Sequence, residues 1–270
     1  MATPDYGLFI QSPKRINLHY SIPDHLKRTI DIDSMREVDL NELCNELDLC
    51  GSSFKEKIEA KIIWRMSFPG MILDVNEILQ NSFGEVSLYL SPIHPHRADL
   101  SYMEDSTLMR RPVPLTVSSI LLDKNANPVL GIRGGDVESG MIASFPGGHV
   151  DFEYNQKGIN SSMLLEFYEE LGSDIPITEE SLQLIGIMDN KDTRGINILY
   201  SIKTRASFSG IKKSWESAKD RFEHNSIIPS SNSMLESIVK NKKVLHKGKL
   251  LQTTPFFLDC FSRYLSYLYN

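Results

Sequence analysis

The stretch that most restricts what this chain can fold into runs from Phe145 to Ser173, FPGGHVDFEYNQKGINSSMLLEFYEELGS. It joins a Pro-Gly-Gly turn to a carboxylate-rich helix. Gly147 and Gly148 let the backbone adopt positive φ or pass close to a ligand at no steric cost. Asn160 reads as an N-cap and Gly172 as the residue just past the last turn, which predicts a helix over 161–171. Met163, Leu164, Phe167, Tyr168 and Leu171 form its apolar stripe. Glu166, Glu169 and Glu170, spaced by three and four, are expected together on the opposite face. Three like charges there repel one another unless a cation neutralises them. Mg²⁺, with Mn²⁺ as a substitute, suits such a set, because a hard ion takes carboxylate oxygens and substrate phosphates while keeping several waters. Glutamate-rich helix faces are commonly solvated surface, so it is the glycine turn ahead of the helix that favours a site.

The rest of the composition bounds the class. The chain has 270 residues, of which 41% are hydrophobic and 24% charged, enough for a sizeable core in one large or two smaller domains. No apolar run approaches bilayer length, and Met1 to Gln11 lacks the basic-then-apolar order of a signal peptide, so a cytoplasmic protein without a membrane partner is expected. Cys44, Cys50 and Cys260 are odd in number and lack a CxxC pair, which reads as buried thiols rather than a disulfide framework or zinc site. A net charge of −6 disfavours nucleic acid as a partner. It does not exclude a phosphorylated small molecule, since a bound metal inverts the local field.

Along the chain, 7–11 and 17–20 suggest a small antiparallel pair. Ser53 and Glu56 form a capping box for a helix with Phe54, Ile58, Ile62 and Met66 on one face. His94 and His96 flank Pro95 and read as loop. Strand character appears over 85–90, 115–122 and 128–133; the turn residues 123–127 make the last two a hairpin, expected beside the strand that enters the Pro-Gly-Gly turn. Two further strands over 182–188 and 195–204 are joined by a polar turn at 189–194. Helices are expected near 233–240 and over 255–269, the last for packing. Arg133, at a strand end near the turn, is a candidate for holding phosphate through its planar fork. Tyr102, in the polar stretch 91–114, is a candidate for stacking on a base.

PGGHVDF at 146–152 with EFYEELG at 166–172 resembles the Nudix box, G-x5-E-x7-R-E-U-x-E-E-x-G-U, where U is a bulky apolar residue. The first Glu of that pattern falls on Tyr154, with Glu153 adjacent, and the spacing to the helix is three residues longer. Leu165 replaces the Arg and Ser173 the final apolar residue. In these irregularities, and in Ser161-Ser162, the chain is similar to the Nudix-type UDP-glucose/galactose diphosphatases. The resemblance implies an α/β fold: a Nudix α/β/α sandwich with a mixed β-sheet over 113–270, preceded by a small α+β region over 1–112. It implies an enzyme, a diphosphatase in which Glu169 and Glu170 hold Mg²⁺ with a carbonyl of Gly147 or Gly148, and Glu166 holds a second metal or accepts a proton. Glu223 is the implied further acidic residue in a loop, at the substrate, that binds metal or acts as base; His224 is an alternative general base. The substrate class is a nucleoside diphosphate linked to another group, foremost a UDP-sugar. ADP-ribose, a non-catalytic nucleotide-binding module and, more remotely, RNA decapping are the alternatives. Oligomeric state stays open, a homodimer included.

Overall fold

The structure, a computed structural model, describes residues 9–20, 72–93, 113–134, 139–151, 158–190 and 195–269. Tyr102, Cys44, Cys50, His94, His96, Glu153, Tyr154 and the expected helix after Ser53 lie outside the described residues, as does most of the 189–194 turn.

The central element is β10 (Gly195–Lys203), in which every residue but Lys203 is buried. It is flanked antiparallel by β9 (Leu182–Asn190) and parallel by β5 (Leu115–Leu122). A strand with neighbours on both edges and layers on both faces must be apolar along its whole length, which is why GINILYSIK and LTVSSILL lack the alternation of a half-exposed strand. β1 (Phe9–Gln11) extends the sheet beside β9, and β8 (Gly147–His149) closes the other edge beside β5, giving the mixed order β1-β9-β10-β5-β8. Buried polar groups on the central pair satisfy each other: Asn197 donates to Ser118 Oγ at 2.8 Å and accepts from Thr116 Oγ1 at 3.0 Å.

Two helices complete a three-layer α/β/α sandwich, as expected. Ile196, Ile198, Tyr200 and Ile202 share one core cluster with Met163, Phe167 and Leu171 of α1 (Ile159–Leu171). Leu199, facing the other way, packs with the second cluster. That cluster includes Phe256, Cys260, Phe261, Tyr264 and Leu265, the inward stripe of the last helix (Pro255–Tyr269). Their spacing is the helical period, so this element follows directly from the sequence. Between α1 and the last helix come α2 (Phe208–Glu216) and α3 (Asn232–Asn241), each capped by a serine, Ser207 or Ser231, that accepts a backbone N–H. The last helix is therefore α4.

Two pairings and one helix start differ from the sequence reading. The segments at 7–11 and 17–20 do not pair with each other. β1 joins β9, whereas β2 (Arg15–Tyr20) lies parallel to β4 (Glu85–Ile93), which also pairs with β3 (Ile72–Gln80). The chain changes sheet between them because Ser12 N–H bonds Ile185 O and Lys14 N–H bonds Gly84 O, with Ser12 at φ 41. Second, β5 and β6 (Val129–Arg133) are not a hairpin ladder; only a bridge between Leu122 and Pro128 joins them. β6 enters a second sheet, β11-β6-β7, with β11 spanning His224–Pro229 and β7 spanning Ile142–Ala143. Each diverging strand still lies beside the glycine turn, β6 against β7 and β5 against β8. Third, α1 begins two residues earlier than expected, with Gly158 as the N-cap. Asn160 lies inside it, where its side chain accepts from Tyr200 Oη at 3.0 Å and donates to Glu179 at 3.1 Å. Gly172 ends the helix at φ 74, as read.

Residues on either side of position 112 share one core. Leu73, Val75, Val86, Leu88 and Leu90 cluster with Leu115, Val117 and Val150, and Leu73 N–H bonds Val150 O at 3.1 Å.

Candidate functional site

The glycine turn is fixed from both sides. Phe145 N–H bonds Ser119 O, and Ser119 returns its backbone N–H to Pro146 O at 2.9 Å and its hydroxyl to the same oxygen at 3.1 Å. Close approach, not positive φ, is what requires Gly147, and neither glycine is among the positive-φ residues. A methyl at Gly147 would meet Val117 O at 2.7 Å and Ser118 Cα at 2.8 Å. One at Gly148 would stand 2.4 Å from Glu166 Oε2. The Glu166 carboxylate thus lies directly over the Gly148 backbone.

From the opposite side, α1 presents its carboxylates. Glu170 is not on the solvent face that the wheel suggested: it is 2% exposed, and its Oε1 accepts the Gly147 N–H at 2.7 Å. The reason is visible in the spacing. Glu170 follows Met163 by seven residues and Phe167 by three, which places it beside the core stripe. Glu169 points further out, to Lys219 Nζ at 2.7 Å. Its backbone carbonyl accepts the N–H of Asp220 at 3.0 Å, docking the segment before the 3-10 turn Arg221–Glu223 onto the end of α1. The same segment brings Glu223 to Arg133, Oε2 to Nη1 at 3.7 Å, and Arg133 Nε is buried without a partner.

The structure therefore gathers Glu166, Glu169, Glu170, Gly148, Arg133 and Glu223 around one place. Tyr102 lies outside the described residues. His224 is not in a loop: it opens β11, is 3% exposed, and holds Nδ1 3.3 Å from Glu170 Oε2. Burial of both ring nitrogens disfavours it as a base for a solvent water. A lone histidine after a glutamate gave no sequence signal for this contact, since it spans two elements far apart in the chain. Lys219 was missed for the same reason.

Burial, and then neighbouring carboxylates, raise Glu166, Glu223 and Asp220. Glu166 is held well above the ordinary value of 4.5, first by burial and then by Glu170, Glu223, Glu169 and Asp151. Glu223 is pushed up to about 7, again first by burial and then by Glu170, with Arg133 opposing. Asp220 is raised by burial too, with Lys219 pulling the other way.

Such a cluster is a poor resting arrangement without a cation, and the donors suit a hard divalent one. All are carboxylate or carbonyl oxygens, and Glu170 Oε2 is buried without a hydrogen-bond partner. Among the described residues no three His, Cys, Asp or Glu donors already converge on one point, because Glu169 and Glu170 are turned to protein partners.

A pH dependence follows. A carboxyl that holds its proton more tightly when folded stabilises the fold at low pH and loses that contribution as pH rises through the folded value. The melting temperature of the metal-stripped protein is therefore expected to fall as pH rises from 4.5 through about 7, and added Mg²⁺ or Mn²⁺ should flatten the slope. Thermal melts across that range check this; an apo melting temperature that stays flat or climbs would show that Glu166 and Glu223 are not raised in the folded protein.

No family model matches the chain, and no curated protein matches it in sequence. Among solved structures it is similar to Tm1382, described as a candidate Nudix hydrolase, at 11% identity over 74% of this chain and 100% of that one, with TM-score 0.44. It is also similar to the Nudix domain of Shewanella oneidensis NrtR, crystallised with ADP-ribose, at 11% identity over 63% and 96% of the two chains, with TM-score 0.38. A Nudix hydrolase from Nitrosomonas europaea follows at 13% identity, 57% and 89% coverage and TM-score 0.36. At these scores the similarities are descriptive and assign no activity.

Proposed function

We propose that this chain is a divalent-metal-dependent Nudix-type hydrolase that cleaves the diphosphate of a nucleoside diphosphate linked to another moiety, foremost a UDP-sugar. The observation that carries this reading is the meeting of α1 and the glycine turn, where Glu166 lies over Gly148 and Glu170 bonds Gly147. Glu169 and Glu170 would hold Mg²⁺ or Mn²⁺ with Glu166 and the Gly148 carbonyl. The bound cation supplies charge neutralisation at the diphosphate and a more acidic water. Glu223, with its raised value of about 7, is suited to take up a proton near neutral pH, and Arg133 beside it to hold a phosphate oxygen. Glu166, buried among carboxylates, holds its proton more tightly than an ordinary glutamate, and a cation held there would oppose that shift. Attack by water on one phosphorus of a UDP-sugar would release UMP and sugar 1-phosphate.

The same reading keeps 1–112 and 113–270 as functional units, the first selecting substrate and the second carrying chemistry, in a cytoplasmic protein. No helix among the described residues is long and apolar enough to cross a membrane.

Purified protein incubated with UDP-glucose, ADP-ribose, a dinucleoside polyphosphate and capped RNA, each with Mg²⁺ or Mn²⁺, tests the proposal by product chromatography. Metal-dependent formation of UMP and sugar 1-phosphate is the expected result. Turnover of ADP-ribose alone would move the substrate to the second choice. Absence of turnover on all four, with a nucleotide still bound, would replace the enzyme by a binding module.

A further inference from the structure

His224 is held in a seat made for its ring. A methyl on Gly131, in the neighbouring strand β6, would collide with His224 Cδ2 and Nε2, so that edge of the imidazole lies against a bare Cα. Phe145 packs against the same ring in a T-shaped arrangement, with ring centroids 4.9 Å apart. The register of β11 against β6 shifts between His224 and Ser226, so the strand is irregular where this side chain is placed. The result is a fully enclosed ring whose Nδ1 faces Glu170 Oε2 at 3.3 Å. That separation is close enough for an ion pair but off the line of a formed hydrogen bond, so both atoms, and Nε2 as well, are without a hydrogen-bond partner.

Buried donors without acceptors are costlier and rarer than bare acceptors. Of the two ring nitrogens, Nδ1 has an acceptor within reach, and a proton on Nε2 would be orphaned. The proton therefore belongs on Nδ1. Glu170 then accepts the Gly147 N–H on Oε1, while its Oε2 faces the His224 N–H across 3.3 Å without a formed hydrogen bond.

We propose that His224 is a positioning residue, which fixes the rotamer of Glu170 from the neighbouring sheet so that this carboxylate meets an incoming divalent cation preformed. The proposal rests on the assignment of Glu170 as a metal ligand. Groups that orient metal ligands commonly contribute about 10- to 100-fold in metal affinity.

The test is Mn²⁺ binding to the metal-stripped full chain, followed by electron paramagnetic resonance, for wild type and three variants. His224→Leu fills the seat without a donor, and His224→Asn restores an N–H near the Nδ1 position. Gly131→Ala keeps the imidazole but drives it from its seat. Thermal melts on the same samples report folding. The expected result is Mn²⁺ affinity lowered about 10- to 100-fold by His224→Leu and Gly131→Ala, and returned to within about 3-fold of wild type by His224→Asn. If His224→Leu binds Mn²⁺ like wild type, or if His224→Asn melts normally yet binds as weakly as His224→Leu, the positioning role is overturned while the metal site stands. Wild type that binds no Mn²⁺ overturns the metal site and the positioning role together.

Discussion

Replacing Glu170 by Gln is expected to lower metal-supported turnover by about 10²- to 10³-fold, roughly 3 to 4 kcal/mol of transition-state stabilisation, with the fold intact. Gln has the same shape. Its carbonyl oxygen still accepts the Gly147 N–H, and its amide nitrogen takes the position facing His224 Nδ1, where the imidazole can change tautomer to accept. What disappears is one negative charge in a buried cluster. That loss carries a second readout, because Glu170 is the largest charged neighbour raising both Glu166 and Glu223. In the variant both should titrate lower than in wild type, which carbon-detected NMR of the glutamate carboxyls measures directly. Unchanged turnover would remove Glu170 from the reaction; unchanged titration of Glu223 would contradict the clustering itself.

Phe167→Ala should be the most damaging single core change near the site, costing about 3 to 5 kcal/mol against a total stability of about 5 to 15 kcal/mol. Phe167 has no exposed surface and lies between Met163 and Leu171 on the face of α1 that packs on the central sheet. Its ring also meets Tyr168 edge-on, with centroids 5.6 Å apart, and Tyr168 in turn ties the helix to Ile177 O through its hydroxyl at 2.8 Å. The cavity left by the ring cannot collapse without moving the helix, and with it Glu166, Glu169 and Glu170. Urea melts of wild type and variant give the magnitude. Mn²⁺ affinity of the still-folded variant is expected to fall as well, since the carboxylates lose their fixed relation to Gly147 and Gly148. A loss under about 1 kcal/mol would mean that α1 does not depend on this contact.

The elements legible beforehand are those whose signal is local and strong. α4 has five buried residues at helical spacing behind an initial proline, and β5 and β10 are continuous apolar runs of strand length. The capped α3 was also within reach, as was the end of α1 at Gly172. The short strands β7, β8, β12 (Lys243–His246) and β13 (Lys249–Gln252) were not. Two to four residues carry no measurable period, and their strand state is decided by the partner they meet. The same holds for β1 and β2, which were legible as extended segments but not as members of two different sheets.

By itself, the sequence determined that a glycine turn and a helix bearing Glu166, Glu169 and Glu170 form one unit, because residue type and spacing along a single helix are local properties. The tertiary structure alone decided how those carboxylates differ. Glu170 is enclosed between the helix and the turn, Glu169 is turned out to Lys219, and Glu166 is pressed over Gly148. The raised values of Glu166 and Glu223 depend on burial and on neighbouring charges brought together in space, and the approach of Arg133, Glu223 and His224 on the packing of β6, β11 and the segment between α2 and β11. Desolvation and Coulomb interaction act through distances in space, and positions 133, 170 and 224 become neighbours only when the two sheets pack around the turn.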